Sequence, residues 1–95
     1  MSAVAVLIKD VKQQYEGLRT SLGLLLEASE VHMYVLNHEI AVMDEAYQEN
    51  MEFIDEMEGE RFSNNKANVE KYGFQYASLD DIIERIKQAK FVIPF

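Results

Sequence analysis

Apolar and polar positions alternate along this chain in blocks whose period switches between that of a strand and that of a helix. Residues 3–8, Ala-Val-Ala-Val-Leu-Ile, form a continuous apolar run that suits a strand covered on both faces of a parallel sheet. After a mostly polar connection over 9–14, apolar side chains recur at Tyr15, Leu18, Leu22, Leu25 and Leu26, and steps of three and four place them on one stripe of a helix over about 13–28. Gly17 and Gly23 fall inside that helix at about 1 kcal/mol each in propensity, so either packing is close there or the helix leans on its leucine face. A second strand over 31–36, apolar apart from His32, completes a βαβ unit.

Residues 39–58 carry eight acids and no base, with Met43, Tyr47, Met51, Ile54 and Met57 on the opposite stripe. The acids repel one another on a helix, so its apolar face must be buried or its charge neutralised by a partner. Gly59 is the expected stop. A short strand over 60–63 follows, and Asn64 or Asn65 can cap a two-turn helix over 66–72 that ends at Gly73 in a left-handed conformation. Residues 74–77 read as another short strand. Ser78-Leu-Asp-Asp81 resembles a capping box and opens a helix with Leu79, Ile82, Ile83 and Ile86 on one stripe and with Lys87 and Lys90 near its C-terminus. Residues 91–95 close the chain as a strand, placed at an edge by Pro94.

Five strands alternating with four helices predict a single domain over 1–95: a three-layer α/β/α sandwich around a mostly parallel five-stranded sheet. Sites in such sheets gather beyond the carboxyl ends of the strands. The candidate ligand-binding residues there are Asn37, His38, Ser63 and Asn65. The Met-rich acidic helix offers Met43, Tyr47, Met51 and Ile54 as a candidate contact stripe, although such methionines are more often core.

Composition narrows the chemistry. Nine bases against 17 acids give a formal charge of −8, which opposes docking on nucleic acid or on anionic membranes. With no cysteine, thiolate nucleophiles, persulfides, disulfides, Cys-ligated zinc and iron–sulfur clusters all fall away. The apolar runs are shorter than the ~20 residues that span a bilayer. No basic segment precedes residue 3, so the first run reads as a strand and the expected location is the cytoplasm. Two histidines are thin material for a metal site, and neither a phosphate-binding glycine loop nor a nucleophile elbow is present, so no metal or cofactor is expected.

The order and spacing of these segments resemble the DsrE/DsrF/DsrH family of small sulfur-relay proteins, which includes the Tus subunits of the tRNA thiolation relay. The likeness runs through Val4-Ala-Val-Leu-Ile8, Gly17-Leu-Arg-Thr-Ser-Leu-Gly-Leu-Leu-Leu26 and Val31-His-Met-Tyr-Val-Leu36. It continues in Tyr72-Gly73-Phe74, Ser78-Leu-Asp-Asp-Ile-Ile83 and Phe91-Val-Ile-Pro-Phe95. Members that carry sulfur are similar in a Cys about eight residues ahead of the glycine that ends the short helix, which here falls on Asn65. Asn keeps the capping geometry but cannot attack, carry or release sulfur, and the nearby Ser63 is no substitute.

The resemblance therefore implies a non-catalytic subunit, assembling with itself or with Cys-bearing relatives. Whether the chain is an enzyme stays open, with the balance against. The rival reading is a small-molecule-binding module at Asn37, His38, Ser63 and Asn65. A third makes His38 a general base paired to a carboxylate such as Glu39, against the ordinary reading of a loop histidine.

Overall fold

The computed structural model describes residues 3–27, 30–41 and 43–95. In chain order the strands are β1 (Val4–Ile8), β2 (Val31–Val35), β3 (Glu60–Ser63), β4 (Gln75–Tyr76) and β5 (Phe91–Pro94). The helices are α1 (Gln14–Leu26), α2 (Glu45–Glu56), α3 (Lys66–Tyr72) and α4 (Leu79–Lys87), with a 3-10 turn at Val11–Gln13 ahead of α1. The sheet is parallel throughout, in the order β4-β3-β2-β1-β5.

That order fixes the layers. From β1 to β4 each strand is added on the same side, so right-handed crossovers put α1, α2 and α3 on one face. The step from β4 to β5 runs the other way and carries α4 to the opposite face. Strand alternation agrees with this division. Val6, Ile8, Val31, Met33 and Val35 pack with Leu18, Leu25, Tyr47, Met51 and Ile54 on the first face, while Ala5, Tyr34 and Phe62 pack with Ile82 on the second. The architecture is the three-layer sandwich expected from the alternating pattern.

Helix α1 buries Gln14, Gly17, Leu18, Ser21 and Leu25, whereas Leu26 is largely exposed. The stripe is therefore rotated from the all-leucine one. Small residues let the helix approach the sheet: a Cβ at Gly17 would overlap the Ile8 side chain, and the Ser21 hydroxyl turns back to the Gly17 carbonyl (2.9 Å). At Gly23 a Cβ would meet nothing. Residue 28, the expected end of this helix, lies outside the described residues.

The acidic helix is shorter than its periodicity predicts. It spans Glu45–Glu56 and not 39–58, because Asn37 takes a left-handed conformation (φ 66°) and Asp44 caps the Tyr47 amide at 2.8 Å. Residue 42 of the expected helix also lies outside the described residues. At the other end Glu58 holds the left-handed position (φ 65°), and the Glu58 and Gly59 amides close onto Asp55 and Ile54 carbonyls. Gly59 serves a different need, since a Cβ there would press on Leu25 and Ile54. The cap at Asn65, the left-handed Gly73 (φ 72°) and the Ser78–Asp81 capping box are found as expected, and β5 is an edge strand. No helix among the described residues is long and apolar enough to cross a membrane.

Candidate functional site

The carboxyl ends of β2 and β3 bring the four candidate binding residues into one neighbourhood. Ser63 is fully buried on β3, and its hydroxyl donates to the Val35 carbonyl (2.7 Å) while accepting from the Asn65 amide (3.0 Å) and Asn68 Nδ2 (3.1 Å). Asn65 Oδ1 accepts from the Ala67 and Asn68 amides, the ordinary work of a helix cap. Asn37 and Asn64 clasp each other: the Asn37 amide donates to Asn64 Oδ1 (2.8 Å) and Asn64 Nδ2 to Asn37 Oδ1 (2.9 Å).

The centre of this network is Asn68, which is completely buried. Its Oδ1 accepts from the Ile40 amide (3.0 Å) and its Nδ2 donates to the His38 carbonyl (2.9 Å) as well as to Ser63. Gln14 adds a tie from α1 by accepting the Ala41 amide (2.9 Å). Together they hold the 37–41 loop against the sheet. The polar groups of Ser63, Asn65 and Asn68 are engaged by the protein itself, which makes this edge a cross-linked corner. Sequence reasoning passed over Asn68 and Gln14. The available signal was a polar residue on the same α3 stripe as Val69 and Tyr72, because a buried amide has to find partners.

His38 is the exception. Its Nδ1 donates to the Leu36 carbonyl (2.9 Å), and its Nε2 is enclosed with no hydrogen-bond partner among the described residues. Glu39, the carboxylate expected beside it, turns instead to Lys71 (3.0 Å). Hydrogen bonding by Glu39, and then its charge, hold the exposed Lys71 ammonium above its ordinary pKa. No group of three or more His, Asp or Glu side chains capable of holding a metal ion occurs among the described residues.

The expected contact stripe on α2 faces the other way. Tyr47, Met51 and Ile54 are buried between α2, α1 and the sheet, and Met43 is half-buried ahead of the helix. Those side chains form core, and the surface of α2 is left to its acids and the half-exposed Phe53. Helical spacing groups residues onto one face without saying what covers it. Arg61 shows how that face disposes of a buried charge: its guanidinium chelates Asp55 at 2.9 and 2.8 Å, donates to the Tyr72 carbonyl (3.0 Å) and lies over the Phe74 ring.

The second face of the sheet is different. Five strands about 4.8 Å apart span about 19 Å, wider than one helix of about 10 Å can cover, and α4 is the only helix there among the described residues. Val92 and Pro94 share this face with Ala5 and Leu7 through the β1–β5 register, and both are exposed. On α4, Leu79 and Ile83 are 45% and 49% exposed on the flank of the helix next to buried Ile82. Comparison with protein-family models, curated proteins and solved structures returns no match to this chain.

Proposed function

We propose that the protein is a non-catalytic α/β subunit of the DsrE type, which assembles with copies of itself or with Cys-bearing relatives in cytoplasmic sulfur handling. The observation that carries this reading is the sheet face bearing α4 alone. A parallel sheet is stable when both faces are covered, and here Leu79, Ile83, Val92 and Pro94 stand in solvent around the single covering helix. Charge supports self-contact at that place. Residues 78–95 carry Asp80, Asp81 and Glu84 against Arg85, Lys87 and Lys90, so the formal −8 resides in the rest of the chain and two such faces can meet without repulsion.

Asn65 fits the same picture. At the position where the resemblance implies a sulfur-bearing Cys, its side chain caps α3 and leaves no group for transfer. The test is native mass spectrometry of the protein purified from its own source, repeated with Val92→Lys. An oligomer, alone or with a Cys-bearing chain, that falls to monomer in the variant supports the reading. A monomer carrying a discrete small-molecule mass, or an oligomer indifferent to the substitution, overturns it.

A further inference from the structure

At the end of the sheet opposite the strand-end network, the α4 face holds a recess of about 300 Å³, the lower end of the volumes typical of ligand pockets. Its floor is the small side chains of Ala3 and Ala5, its wall His32 and Tyr34, and its rim Arg85 and Gln88 from the end of α4. The recess exists because β1 offers methyl groups where the neighbouring strand offers rings; Ala5 pairs directly with His32.

The charged group at this recess is held by ring stacking. The Arg85 guanidinium lies 4.4 Å over the Phe62 ring, and that ring stacks in turn on Tyr34 (5.3 Å, 19°). Stacking limits the freedom of a long side chain before anything binds, so less is lost on binding. In a chain of 17 acids, Arg85 makes no ion pair among the described residues. Glu60, the acid of β3 on this face, is turned to His32 Nε2 at 3.2 Å. Tyr34 lines the recess together with Arg85, and Gln88, three residues further along the same flank of α4, brings an amide.

We infer that this recess binds a small aliphatic monocarboxylate, with Arg85 taking the carboxylate and Ala3 and Ala5 receiving the hydrocarbon. A planar guanidinium matches a carboxylate in a two-point fork. One unpaired cation balances one negative charge, whereas a phosphate dianion would need a second cation and would face Glu60. Arg85 and Gln88 lie on the flank of α4 opposite Ile83, so Ile83 belongs to the assembly surface alone, whereas Val92, paired with Ala5 of the recess floor, borders both.

The experiment is a titration of the 15N-labelled protein with sodium butyrate, followed by amide chemical shifts, with inorganic phosphate at equal ionic strength as the control. Saturable shifts at Ala5, His32 and Gln88 are expected with butyrate. Arg85→Gln, a surface change, should weaken binding about tenfold or more. Ile83→Lys should leave it unchanged, which separates this site from the proposed interface. Shifts that rise without saturating, equal saturation by phosphate, or an Arg85→Gln protein that binds like the parent would each overturn the assignment.

Discussion

The two faces of one sheet meet the same requirement by different means. On the first face three helices cover the central strands, and the polar side chains that face inward, Arg61, Ser63 and Asn68, are tied to named partners. On the second, one helix covers Tyr34 and Phe62 and leaves an apolar margin at β5 and a recess at the strand starts. The closed face has few groups free for anything outside the chain. Apolar surface is left in solvent on the second face, around α4 and β5, while the first face keeps a cleft of about 360 Å³ between α2 and α3.

The sharpest way to break the comparison is to open the closed face. Asn68→Ala removes the acceptor of the Ile40 amide and a donor to both His38 and Ser63. Leaving such buried groups without partners costs about 1–3 kcal/mol each, so a loss of about 3 kcal/mol is expected in chemical denaturation. A loss under about 1 kcal/mol would mean that the corner is not closed by this amide. The Asn65→Ala change should cost about 1 kcal/mol, as an N-cap does, because its partners sit at the solvent side of the same corner.

Much of this corner was legible in advance, and the reasons are local. Asn65, Gly73 and the Ser78–Asp81 box are set by backbone groups within a few residues, so their identities announce them. The non-helical stretches 37–41 and 43–44 were not legible, since acids and apolar residues keep a helical spacing straight through them. What ends the pattern is a left-handed Asn37 and a cap from Asp44, one acid among many. Gly17 and Gly23 looked alike in the sequence, yet one lies against Ile8 and the other in open space. That difference is tertiary. The same holds for Tyr47, Met51 and Ile54, whose stripe was visible while its neighbour, α1, was not.

Tyr47 tests the closed face from the opposite direction. It is completely buried, packs edge-on to Tyr15, and its hydroxyl has no hydrogen-bond partner among the described residues. Tyr47→Phe removes a desolvated polar group while keeping the ring, so a gain of about 1 kcal/mol is expected. Burial also holds this hydroxyl above the ordinary value of 10.0, with Arg61 opposing. A phenol raised in the folded state contributes stability that is intact below about pH 10 and lost as pH rises towards the folded value. The variant should therefore lose less stability than the parent in that alkaline range, which urea titrations at pH 9 and above would read. An unchanged alkaline profile would locate the sensitivity elsewhere, with Tyr34, raised by burial, and Lys71, raised by Glu39, as the candidates.

The smallest effect on the isolated fold belongs to the open face, and its smallness is the point. Ile83 is 49% exposed, so Ile83→Lys removes little buried area and should change the stability of the dilute monomer by no more than about 0.5 kcal/mol. Against the Asn68 result, that contrast separates a residue the fold needs from one it merely displays. At higher concentration the two chains should diverge for a reason unconnected with the core. If a second copy covers this face, mass action makes the parent's Tm rise with protein concentration, and a lysine at the contact removes the rise. Thermal unfolding across a hundredfold dilution series reads both effects at once. A parent Tm that stays flat would leave the α4 face uncovered by self-association, whereas a variant that melts several degrees lower even when dilute would place Ile83 in the core.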